Sequence, residues 1–247
     1  MAVFTVASQK GGTGKSTTAI SVALYISEFK QGRTLFIPLD NQGGNAKRTF
    51  KIPANMRQVN GMFHNEDYDI HVVNDNLHTL SSDRTIHNLD RTEFEHALNF
   101  AEEIKKLKNQ YDHIVIDTPP GLGSRITAAV IAAEHIIVPI ECEESSVEGM
   151  VELRDTIHKL TRYNTAARIN SIVINKFNHT VEQKNILDVL MKHFSNEIIE
   201  PIIGDLQPVR TAGAAGRAVW HKARNGNHRE AAKIMKTVIS RIVEKVI

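Results

Sequence analysis

SQKGGTGKSTT, residues 8–18, follows a short apolar run at 3–7 and opens a stretch of helical period at 17–29. A strand, a glycine-rich turn and a helix in that order make a phosphate cradle. Backbone N–H groups turn around the oxygens, and the helix N-terminus adds its positive end. Gly11, Gly12, Thr13 and Gly14 would form the turn. Lys15 stands where it reaches the β- and γ-phosphates, the Ser16 hydroxyl where it ligates Mg²⁺, and Thr17 where it bonds the α-phosphate. The string alone would be modest; its place between strand and helix makes it specific for phosphate.

Outward from this loop, short apolar runs at 34–37, 70–73, 114–117, 136–140 and 172–175 alternate with helical stretches at 91–108, 147–163 and 181–194 and from 228 to the end. That alternation predicts an α/β fold, a mostly parallel twisted sheet with helices on both faces. Residues 41–69 read as a loop with one short helix. The 247 residues, 41% hydrophobic and 23% charged, fit one domain over 1–247 with no linker or repeat. One cysteine, Cys142, forms no internal disulfide and cannot alone hold a metal or cluster, and the first residues lack a secretory pattern. A cytoplasmic setting is expected. The net charge of +2 is uneven: residues 205–247 hold nine Lys or Arg against three acids, about +6, leaving about −4 elsewhere.

The loop has Gln9 where the common phosphate-loop pattern has glycine, followed by a second lysine, Lys10. This form resembles the deviant Walker A motif of the ParA/MinD family, in which the early lysine reaches across a dimer interface to the partner's phosphates. LDNQGGN at 39–45, YDHIVIDTPPGLG at 111–123, HIIVPIECEESSVEGM at 135–150 and SIVINKF at 171–177 resemble the family's other segments in order and spacing. Asp117 ends an apolar strand, so its carboxylate should emerge beside the loop and hold Mg²⁺ through water; the plain alternative is a strand-ending turn. The resemblance implies that Asp40 orients or activates the attacking water and that Asn175 reads the adenine edge, against a turn-initiating Asp and a loop cap. It implies catalysis by Lys10, Lys15 and Asp40 with ATP and Mg²⁺.

Pro38 stands where the family has the first Asp of DxD, and Asn41 where it has Pro. A carboxylate near the metal would be missing, Pro38 should sit near a strand end, and the added glycine of Gly43–Gly44 loosens the switch. If Lys10 acts in the opposite subunit, ATP becomes a dimerisation switch that hydrolysis releases.

The resemblance implies partition: an ATP-bound homodimer coating nonspecific double-stranded DNA in the nucleoid, with a ParB-like adaptor stimulating hydrolysis. With its phosphate loop at residue 10, the chain resembles the short form without an extra N-terminal DNA-binding domain. Arg210, Arg217, Lys222, Arg224 and Arg229 are the candidate DNA contacts, the alternative being a solvated basic face. A MinD-like membrane cycle would need an amphipathic anchor; the last helix carries Ile234, Val238, Ile242 and Val246 on one side without aromatics, which favours core packing over stable membrane insertion. A third class, an iron protein of the nitrogenase type or a small-molecule kinase, lacks the cysteines for the one and conflicts with Lys10 for the other. His64, His71 and His78 recur every seven residues without a metal-site pattern, Met150 and Met191 read as core filling, and Glu141, Glu143 and Glu144 as solvated loop charge.

Overall fold

The computed structural model describes residues 1–41, 44–91 and 93–247. Its strands are β1 (Ala2–Val6), β2 (Thr34–Pro38), β3 (Ile70–Asn74), β4 (Leu77–Leu80), β5 (His113–Asp117), β6 (His135–Ile140) and β7 (Arg168–Ile174). They form one sheet in the order β3-β4-β2-β5-β1-β6-β7, parallel throughout except for the antiparallel β3–β4 pair. The mostly parallel α/β sheet read from the alternation is the one observed. The sequence does not reveal β4, because four residues, LHTL, give too short a run to separate from β3.

All five residues of β1 are buried, as a central parallel strand covered on both faces must be. Successive side chains alternate between faces. Ala2, Phe4 and Val6 join a core with α1 (Lys15–Tyr25) and α9 (Gly226–Glu244). Val3 points to the opposite core with α4 (Phe94–Leu107) and α5 (Ser124–Ala132). A third cluster packs α6 (Glu144–Leu160) and α7 (Val181–Phe194) on β6 and β7. Burial of a side chain such as Phe4 contributes about 1.5–3 kcal/mol.

α5 has no polar face: Ile126 and 128–132 are all buried, so no helical period marks it in the sequence. The stretch at 41–69 contains two short helices, α2 (Asn45–Phe50) and α3 (Gly61–His64), where one was expected. The expected helix at 91–108 begins at Phe94, after a 3₁₀ segment, Arg84–Arg91. A further helix, α8 (Gln207–Ala214), precedes α9.

Val238 and Ile242 are buried, with Ile234 and Val246 packed partly against them, so the closing helix belongs to the core. Asn225 caps it, its side chain accepting from the His228 N–H. Met150 is core as expected, whereas Met191 is 38% exposed, on the outer side of α7. The three spaced histidines have separate structural uses: His64 meets His96, His71 bonds the Phe50 carbonyl, and His78 bonds the Tyr111 hydroxyl. Cys142 is buried, and burial pushes its thiol up to about 11, leaving it unreactive.

Candidate nucleotide site

β1, β2 and β5 end on the same edge of the sheet, in register Val6 with Asp117 and Pro38 with Asp117. The glycine-rich loop leaves that edge from β1 and enters α1, whose first residues carry no side-chain cap, so their N–H groups remain for an anion. Gly12 at φ 80° and Gly14 at φ 100° hold backbone conformations that other residues rarely adopt. A Cβ on Gly14 would also stand 2.6 Å from the Asn175 amide nitrogen. Asn175 Nδ2 donates to the Thr13 carbonyl at 2.9 Å, and Lys176 Nζ donates to the Gly12 carbonyl at 2.8 Å while pairing with Glu141 at 2.8 Å. Lys176 and Glu141 thus brace the loop, a role invisible in sequence because it joins segments more than a hundred residues apart; Glu141 is no solvated charge.

Lys15 is buried, with its Nζ donating to the Lys10 carbonyl at 2.7 Å. Desolvation holds its pKa down, opposed by the nearby Asp117 and Asp40 carboxylates. Asp117 is 2% exposed and burial pushes it up to about 8; the Ser16 hydroxyl bond and Lys15 counteract, while Asp40 adds to the rise. Asp117 Oδ1 and the Thr13 hydroxyl are buried polar atoms without a hydrogen-bond partner. Such atoms are costly unless something meets them. A carboxylate oxygen beside a serine hydroxyl suits a hard divalent cation that takes its remaining ligands from phosphate and water. Among the described residues no group of three His, Cys, Asp or Glu is gathered as an all-protein metal site.

Beside the loop lies a cleft of about 230 Å³ whose walls include Gly14, Thr17, Asn175, Asp205 and Arg210. Lys10 is exposed at the loop's outer side and pairs with Glu143 of its own chain, so Glu143 too is engaged. Asp40 follows β2 and is partly exposed; Gln42 and Gly43, in the middle of the expected switch segment, lie outside the described residues.

A family described as "AAA domain" matches residues 1–171. The chromosome partitioning protein ParA of Myxococcus xanthus is 26% identical over 215 residues, 81% of this chain and 74% of that one. The chain belongs to the ParA/MinD family of P-loop ATPases. The ATP complex of Cyanothece McdA superposes with a TM-score of 0.84 at 16% identity, covering 100% of this chain and 96% of that one. A Borrelia burgdorferi plasmid partition protein bound to AMPPNP superposes at 0.81 and 24%, covering 100% and 99%. These likenesses show a shared fold.

Against the ParA/MinD pattern, Pro38 is the last residue of β2. Its missing N–H therefore costs the ladder nothing further along, and no carboxylate stands at that point. The five basic candidates separate. Arg210 pairs with Asp205 on the cleft wall, and Arg217 is half-buried with its guanidinium on the His221 carbonyl. Lys222, Arg224 and Arg229 are exposed, in the loop before α9 and its first turn.

Proposed function

We propose that the chain is a partition ATPase that pairs on binding Mg-ATP, coats DNA without regard to sequence as a homodimer, and is released when a ParB-like adaptor stimulates hydrolysis. The observation that carries this reading is the convergence of Lys15, Ser16 and the partnerless Asp117 oxygen on the open N-terminus of α1. Gly11, Gly12, Thr13 and Gly14 wrap the phosphates, Thr17 bonds the α-phosphate, and Asn175, on the cleft wall, meets the base. Ser16 and Asp117 would hold Mg²⁺, which supplies charge for the β- and γ-phosphate oxygens.

Phosphoryl transfer to water requires positioning and charge more than covalent chemistry. Asp40 orients the water; Lys15 and the partner chain's early lysine stabilise the phosphate. Lys10 must leave Glu143 to perform that role in trans, so pairing and completion of the two sites are one event. Departure of the γ-phosphate then loosens the segment after Asp40 and the dimer separates. Doubling the exposed Lys222, Arg224 and Arg229 in a dimer gives DNA affinity that one chain lacks. The core packing of α9 supports DNA over a membrane as the surface addressed.

Charge-assisted hydrogen bonds contribute about 1.5–3 kcal/mol each. Replacing Lys15 with Ala should therefore weaken ATP about tenfold to a hundredfold in titration calorimetry. Unaltered affinity would remove the loop from nucleotide binding.

A further inference from the structure

Arg125 lies in the first turn of α5 with a side chain only 4% exposed. A buried guanidinium persists only where its charge and its donors are met. Here Nε donates to Asp90 Oδ1 at 2.8 Å and Nη2 to Asp90 Oδ2, a two-pronged pair, with His87 Nδ1 at 3.3 Å from Nη2. Gly123 leaves room for this carboxylate: a Cβ there would stand 2.8 Å from Asp90 Oδ1. The remaining prong, Nη1, donates to the Leu39 carbonyl at 2.8 Å.

That last bond is not needed to neutralise the arginine. The Leu39 carbonyl belongs to the peptide that carries the Asp40 nitrogen. On its other side, the Leu39 N–H donates to the Asp117 carbonyl at 2.8 Å. Leu39 is thus fixed from both ends, by the strand that bears Asp117 and by the helix that follows it. Pro38 donates no hydrogen bond, and Asn41 does not fix φ as a proline would. The two hydrogen bonds of Leu39 therefore orient the peptide that leads into Asp40.

We propose that Arg125 is a positioning residue for hydrolysis: anchored by Asp90, it holds the Leu39–Asp40 peptide so that the Asp40 carboxylate faces the attacking water. The role rests on the ATPase reading and on the assignment of Asp40. A lysine carries the charge but not the planar fork, so it cannot grip Asp90 with two prongs and the Leu39 carbonyl with a third. ATP binding by the glycine-rich loop does not pass through this bond.

The test is single-turnover phosphate release by the full chain with Mg-ATP, for Arg125→Lys and Asp90→Asn, each in the native and the Asp40→Ala backgrounds. Affinity for a nonhydrolysable ATP analogue is measured in parallel. Misplacing a catalytic group by about 1 Å can cost on the order of a hundredfold. Arg125→Lys should slow release by about tenfold or more, Asp90→Asn by less, with analogue affinity changed by less than about twofold. In the Asp40→Ala background Arg125→Lys should change the remaining rate by less than about twofold, because a residue that acts through Asp40 has nothing left to position. An unchanged rate for Arg125→Lys, an equal loss in both backgrounds, or a parallel loss of analogue affinity would each overturn the role. No phosphate release by the unsubstituted chain would overturn the ATPase reading, and this role with it.

Discussion

Lys10 and Glu143 form an ion pair within one chain, joining the outer side of the phosphate loop to the segment that opens α6. Both side chains are 43% exposed, so water screens the attraction and the pair contributes little stability. An ion pair of this kind exchanges readily for a stronger one, such as that with a nucleotide phosphate on a facing chain. Replacement of Lys10 by Ala should leave nucleotide affinity of the single chain within about fivefold, since exposed pairs contribute about 0–1 kcal/mol, while ATP turnover is lost. Light scattering with saturating ATP should show monomers only. A normal dimer and normal turnover would end the proposed role in trans.

Lys222, Arg224 and Arg229 are exposed; Arg210 is exposed as well but pairs with Asp205 on the cleft wall, and Arg217 is half-buried with its guanidinium on the His221 carbonyl. The triple substitution to Ala should weaken ATP-dependent binding to unrelated duplexes alike. It should lower the slope of log affinity against log salt by about 0.9 for each DNA phosphate that is no longer neutralised. Arg217→Ala should leave that slope where it was. Filter binding over a salt series separates the two; an unchanged slope in the triple variant places the DNA elsewhere.

Ile242 sits at 1% exposure on the inner side of α9. Truncation to Ala should destabilise the fold by about 2–5 kcal/mol, seen as a lower urea midpoint, and leave association with anionic vesicles at its background level. An unmoved midpoint with a change in vesicle binding would make α9 a membrane element instead.

Much of this arrangement is legible in the sequence because its chemistry is local. The glycines, Lys15 and Ser16 are adjacent, and Asp117 is marked by the apolar run before it. The missing donor of Pro38 places it at a strand end. What is not legible depends on distant partners. Arg125 lies in an apolar stretch that shows nothing of Asp90 or Leu39, and Lys176 finds Glu141 and the Gly12 carbonyl only after β6 and β7 pair. Glu143 reads as solvated charge because its partner stands 133 positions earlier. Charge alone groups Arg217 with its exposed neighbours, and charge does not show that its guanidinium is half-buried on the His221 carbonyl. Helix α5 escapes because burial on all sides removes the period by which helices are recognised.

The proposed cycle turns on ATP as the agent that brings two chains together. Sedimentation velocity of the unsubstituted chain, with Mg²⁺ and either ADP or a nonhydrolysable ATP analogue, tests this most directly. Monomer with ADP and dimer with the analogue, the dimer abolished by Lys15→Ala, is the predicted result; the same mass in both nucleotides would contradict it.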